Sequence, residues 1–281
     1  MRKYTTMKNI LLPTDFSENS KNAIRFALKL FEGETCTFYI LNTHKPSRYI
    51  TASVRSAEPG TSVYEGILSV NKPELEKLID FCKSISANEN FTFIPKIDFA
   101  NIVDSVNQAV TVNNIDLIVM GTTGATNAVE VIFGSNTLNI IRNTSAPVLA
   151  IPKGYIYEDI QSVLLSVNHQ HMLVEDTLKI LLEIVKKQKA TLKILEIDES
   201  KTETPPQKED FKELFKEIKV ERFSIKTLPA PIAINAFGQL IPVQLHAMFV
   251  ERERFLDRFI FGSDTSRITY SSPVPLLVLN G

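Results

Sequence analysis

Apolar and polar positions along this chain alternate between two periods. Short apolar runs, among them ILLP at 10–13, LIVM at 117–120 and VLAI at 148–151, are bounded by polar or turn-forming residues. Between them, apolar residues recur three and four positions apart. Ala23, Ile24, Ala27, Leu30 and Phe31 fall on one helical face in this way. Runs of that length fit buried strands, and the wider period fits amphipathic helices. The pattern predicts strands at about 8–13, 35–42, 91–97, 115–120 and 147–151, with helices at about 17–31, 71–87, 101–113 and 134–144. Ser17 is placed to cap the first helix. Pro147 ends the last one and opens a strand with a fixed φ.

The second half repeats the plan, with strands expected near 162–167, 191–197, 220–225, 243–249 and 275–279. MKNILLPTDFSENSKNAIRFALKLF resembles IQSVLLSVNHQHMLVEDTLKILLEI, and VIFGSNTLNIIRNTSAPVLAIP resembles FIFGSDTSRITYSSPVPLLVLN. Strands alternating with helices indicate parallel sheets covered by helices, an α/β architecture present twice. IPKGYIYED is the natural junction, giving one domain over 1–153 and another over 160–281. The stretch 44–66 has no counterpart and is expected to be a mobile insertion. The polar connector 198–210, with two prolines, is assigned no secondary structure.

Charge narrows the function. Lys and Arg total 31 against 32 acidic residues, a net charge of −1, which argues against a nucleic-acid binder. Cys36 and Cys82 have no metal-ligand spacing and read as free thiols of a reducing compartment. The N-terminus lacks the apolar core of a signal peptide, and no apolar stretch is long enough to cross a bilayer. The cytoplasm is the expected location. His169 and His171 flank a turn with nothing nearby to complete a metal site, and His246, inside an apolar strand, is expected to be a hydrogen-bonded core or interface residue.

Candidate chemistry gathers after the first and fourth strands, since ligands of open parallel sheets sit beyond the carboxyl ends of the strands. The first loop reads LLPTDFS; the other is GTTGATNAVEVIFGS, 121–135. Gly121 and Gly124 permit close backbone approach or positive φ. Gly134 and Ser135 stand where the next helix begins, and a helix N-terminus favours an anion. Ser135, Asn136 and Thr137 add side-chain donors. A purely structural reading stays open, in which the glycines serve a turn and Ser135 caps a helix.

Gly121, two residues, Gly124, nine residues, Gly134 and Ser135 reproduce Gly-x2-Gly-x9-Gly-Ser/Thr. Together with ILLPTDFSENSKNAIRFAL and GSNTLNIIRNTSAPVLAIP, this stretch resembles the universal stress protein family over most of 7–152. The second half resembles it more weakly. The resemblance implies a tandem of doubly wound, Rossmann-like five-stranded parallel sheets with strand order 3-2-1-4-5, paired through their last strands as an intramolecular pseudo-dimer, with a further homodimer open. It implies an adenine-nucleotide site. Pro13, Thr14 and Asp15 would face the nucleoside, and Thr43 would offer backbone atoms to the adenine edge. Met120 and Gly121 would line the ribose side. Gly124, Gly134, Ser135, Asn136 and Thr137 would hold phosphates bridged by Mg²⁺ or Mn²⁺. One departure is that ATNAVEVIF, between Gly124 and Gly134, has no basic residue and carries Glu130. AMP or ADP is therefore an alternative to ATP, since a charge-assisted hydrogen bond contributes roughly 1.5–3 kcal/mol. Arg142 reads as a surface residue.

Aligned without gaps, Asp15 maps to Asn168, Gly121 to Phe249 and Gly124 to Arg252, so the second copy is expected to have lost the site. ERERFLDR, 251–258, reads as a solvated face or a partner-docking surface. The chain has no Walker A lysine motif, no Gly-x-Ser-x-Gly elbow and no SGGxDS loop. A nucleotide-dependent stress-response module with an unidentified protein partner is the leading expectation. A nucleotide-free scaffold and a weak ATPase are the rivals.

Overall fold

The computed structural model describes residues 7–44, 63–86, 90–122, 133–168, 175–199, 214–250 and 273–280, with backbone only at 63–70, 168 and 250. The insertion 45–62, Gly124 with Glu130, the histidines 169 and 171, most of the connector 198–210 and all of 251–258 lie outside the described residues. The chain forms two compact units, residues 1–121 and 122–281.

The first unit carries β1 (Lys8–Pro13), α1 (Glu18–Leu30), β2 (Cys36–Thr43), α2 (Val63–Ile85), β3 (Phe91–Asp98), α3 (Ile102–Asn113) and β4 (Leu117–Gly121). Its strands are parallel in the order β3-β2-β1-β4, with Ile10 opposite Phe38 and Leu117, and Phe38 opposite Phe93. Strands covered on both faces need unbroken apolar runs. Accordingly Ile10, Leu11, Leu12, Phe38, Ile40, Leu117 and Ile118 are fully buried. The Phe38 ring meets Phe91 edge-on at 4.9 Å and stacks on Phe93 at 5.6 Å. Helix α1 buries the face anticipated from its spacing, and α3 begins on Asn101, whose side-chain Oδ1 accepts from Val103 and Asp104 N–H.

Helix α2 and strand β4 start away from the positions the sequence predicts. Helix α2 starts at Val63, inside the stretch assigned to the insertion, and continues through Pro73. A start at 71 would have put that proline in the first turn, where its missing N–H costs least. Strand β4 begins at Leu117 rather than 115: Ile115 N–H still closes the end of α3 on the Val110 carbonyl, and Asp116 N–H is the first to reach β1, at the Asn9 carbonyl.

The second unit carries α4 (Ser135–Asn143), β5 (Val148–Ile151), β6 (Ser162–Asn168), α5 (Glu175–Gln188), β7 (Thr191–Asp198), β8 (Val220–Lys226), α6 (Ala230–Leu240), β9 (Leu245–Val250) and β10 (Leu276–Asn280). Its strand order is β5-β10-β9-β6-β7-β8. Strands β6 to β10 alone give 3-2-1-4-5, the doubly wound order expected, and all their pairings are parallel. Strand β5 belongs to the first sequence repeat but pairs antiparallel with β10, Leu277 opposite Leu149. The two last strands therefore cover each other's edges, which otherwise present unpaired backbone groups. Asn280 fastens the end of this seam, its Nδ2 donating to the Thr144 and Ala146 carbonyls at 3.0 and 2.8 Å.

Helix α6 was not anticipated. APIAINAFGQL is apolar almost throughout and has a proline in its first turn, so it lacks an amphipathic period. Its partners declare it: Phe237 meets Phe223 of β8 edge-on at 4.9 Å.

Candidate functional site

In the first unit, Pro13, Thr14 and Asp15 leave β1 at its carboxyl end. Thr14 is drawn into the sheet: its N–H donates to the Leu41 carbonyl at 2.8 Å, and its own carbonyl accepts from Asn42 Nδ2 at 2.7 Å. Its buried hydroxyl lies 3.0 Å from Ser20 Oγ and accepts from Phe16 N–H. Phe16 takes a left-handed conformation, φ 63°, which turns the chain into α1. Asp15 is exposed. Its Oδ1 accepts from the Ser17 hydroxyl at 2.6 Å and the Ser17 N–H at 3.1 Å. Desolvation by the surrounding loop pushes its carboxyl up, but the hydrogen bonds from Ser17, with help from Ser20, outweigh that and hold it below the usual carboxylate range. Asp15 is thus presented as an anion. Ser17 also caps α1, accepting from Ser20 N–H at 3.2 Å.

Thr43 ends β2, half-buried beside this loop. Next to it, Asn42 is 3% exposed, and its Oδ1 takes no hydrogen bond among the described residues. Met120 and Gly121 end β4, with Met120 buried. Gly121 is not in the left-handed region. A Cβ there would stand 2.6 Å from Asn19 Nδ2, 2.8 Å from Asn19 Cγ and 2.9 Å from the Asn19 carbonyl oxygen. The glycine is required by the first turn of α1. Neither Asn19 nor the Ser17–Ser20 network stood out in the sequence, because polar residues after a strand read simply as a helix start.

In the second unit, Gly134 is the N-cap of α4, with φ −63° and ψ 153°, and as a glycine it supplies no side-chain cap of its own. Ser135 is the first helical residue and not the cap. Ser135 and Asn136 are exposed, while Thr137 is 2% exposed. Helices α1 and α3 begin on residues whose own side chains cap them, whereas α4 begins on a glycine.

The second repeat is furnished differently. Phe249, at the position of Gly121, is buried in β9. The N-terminus of α6 is filled from within, where Glu199 Oε1 accepts from Ala230 N–H at 2.7 Å. His246 is a hydrogen-bonded core residue, 1% exposed, with Nε2 2.8 Å from Ser166 Oγ; burial pushes its imidazole down to about 3. Cys36 and Cys82 are buried and free, and burial pushes the Cys82 thiol up to about 12. Among the described residues no helix is long and apolar enough to cross a membrane, and no three His, Cys, Asp or Glu side chains group as metal ligands.

No curated protein matches the chain. Among solved structures, it is similar to a universal stress protein from Archaeoglobus fulgidus, with 18% identity over 97% of this chain and 96% of that one and a TM-score of 0.65. It is similar to a putative universal stress protein from Pseudomonas aeruginosa, with 11% identity over 98% and 94% and a TM-score of 0.59. The cytoplasmic domain of a prokaryotic cation chloride cotransporter shares the fold at 13% identity over 98% and 96%, with a TM-score of 0.57. At these identities the likeness is one of fold. The family model described as the universal stress protein family matches residues 6–152, half of the chain and the part that contains the glycine motif, and the chain belongs to that family.

Proposed function

We propose that the chain is a cytoplasmic tandem universal stress protein whose first repeat binds an adenine nucleotide and passes that binding on to a protein partner. The observation that carries the reading is the start of α4: the motif residue Gly134 is a cap that brings no side chain, and the next two residues, Ser135 and Asn136, are exposed there. The first-turn N–H groups and the positive end of a helix suit a phosphate. In this reading Pro13, Thr14, Asp15 and Thr43 face the nucleoside, Met120 and Gly121 line the ribose side, and Gly124, Gly134, Ser135, Asn136 and Thr137 hold phosphates. Asp15, held ionised by Ser17, accepts hydrogen bonds from nucleoside hydroxyl or amino groups. The divalent cation, Mg²⁺ or Mn²⁺, neutralises phosphate charge, which matters because ATNAVEVIF supplies no cation of its own. Binding shifts the protein toward the liganded conformation in proportion to the difference in affinity between states.

The second repeat, with Phe249 and Glu199 in place, serves as a structural partner joined through β5 and β10, an intramolecular pseudo-dimer. One observation favours a nucleotide-free scaffold instead: the space at Gly121 is taken up by Asn19, so that glycine has a packing role without any ligand. Calorimetry on nucleotide-stripped protein separates the two readings. Heat on adding ATP, ADP or AMP with Mg²⁺, lost in Asp15→Ala, supports the first, and silence with all three establishes the scaffold.

A further inference from the structure

We infer that Asn19 is a positioning residue for the first-repeat site, and that the first glycine of the motif is there to receive it. The inference rests on the nucleotide reading for its consequence, but the contact itself is independent of any ligand. Gly121 is the last residue of β4, and a Cβ on it would collide with both the amide side chain and the carbonyl oxygen of Asn19, at 2.6 to 2.9 Å. Real Cβ atoms do not approach other atoms so closely. The side chain can turn aside, but the carbonyl oxygen is fixed in the first turn of α1.

That first turn is the one organised by the ligand loop. Ser17 binds Asp15, Ser20 lies on Thr14, and Asn19 stands between these two serines. The hydroxyl network sets where α1 begins, and Asn19 presses that beginning against the exit of β4. Two segments 106 residues apart in sequence, Asp15 and Gly121, are thereby held to one geometry through a single turn of helix. Asn19 needs no contact with a ligand for this. It fixes the end of the strand from which residues 120 and 121 would face the ribose.

A double-mutant cycle in urea tests the contact on the full chain without nucleotide. Gly121→Ala is expected to lower the unfolding midpoint, and adding Asn19→Ala, which removes the Cγ and Nδ2 collisions, is expected to restore part of it. Additive midpoints, or a double variant no more stable than Gly121→Ala, overturn the role of the side chain. If Gly121→Ala fails to fold, a folded double variant supports the contact and an unfolded one overturns it. The second arm titrates Mg²⁺–ATP into wild type, Asn19→Ala and Asn19→Leu. Asn19→Ala is expected to bind about tenfold more weakly, while Asn19→Leu, which keeps the branched shape, recovers most of the affinity. Wild-type affinity in Asn19→Ala overturns the positioning role. A wild-type chain that binds no nucleotide removes the nucleotide reading instead, and the urea cycle then decides the contact alone.

Discussion

His246 carries a pH dependence that can be worked out from its surroundings. It is buried as the neutral ring against Ser166, and its value in the folded protein, about 3, lies below the usual 6.5. The unfolded chain therefore binds a proton that the folded chain refuses once the pH drops below about 6.5. The stability given by the neutral ring is present above that value and falls toward pH 3, by up to about 1.4 kcal/mol per pH unit. Urea midpoints at pH 7 and pH 5 check this, and the double substitution His246→Leu, Ser166→Ala should flatten the slope. Asp15 acts in the same direction at lower pH: desolvation pushes its carboxyl up, but the hydrogen bonds from Ser17 hold it below the usual carboxylate range, so the stability it gives is present above that range and is lost as the pH falls through it. Ser17→Ala should raise the Asp15 titration midpoint observed by carbonyl NMR, and loss of the α1 cap should cost about 1 kcal/mol.

At the scale of elements, the contrast between helix starts is informative. The Asn101 side chain accepts from two N–H groups of its helix and donates to the Asp104 carboxylate, so Asn101→Ala should destabilise the chain by about 1 kcal/mol without touching nucleotide affinity. Gly134 is the reverse case. Gly134→Asp puts a capping side chain at the N-cap of α4 and stabilises it by a few tenths of a kcal/mol, yet places a carboxylate where a phosphate is proposed. A thermal midpoint that rises while Mg²⁺–ATP affinity falls at least tenfold is the expected pair of results. Equal affinity in wild type and Gly134→Asp would show that the start of α4 holds no phosphate.

For the whole molecule, the pairing of β5 with β10 makes the two sequence repeats depend on one another. A chain ending at residue 158 leaves the apolar edge of Val148–Ile151 without β10. Such a chain should self-associate, and sedimentation should find it larger than a monomer, where Asn280→Ala in the full chain only lowers stability. Losing the two hydrogen bonds to Thr144 and Ala146 should cost about 1–3 kcal/mol.

Strands and amphipathic helices were legible because their signal is local. The apolar runs that became β1, β2, β4 and β5 are apolar for being buried on both faces, and α1 shows its period in five residues. The repeats gave two copies of a doubly wound α/β plan, and the glycine spacing located the candidate loops. Helix α6 was hidden, since an almost wholly apolar helix has no period, and the run of α2 through Pro73 was hidden by a residue that ordinarily breaks helices. Which residue meets which across the fold was decided only in three dimensions. Neither the pressure of Asn19 on Gly121, nor the closing of α6 by Glu199, nor the hydrogen bond of Ser166 to His246 has a signature in spacing. Burial pattern and chain punctuation are properties of neighbours along the sequence, whereas these contacts join residues 31 to 102 positions apart. Only the packing of the strands and helices that carry them sets their distances.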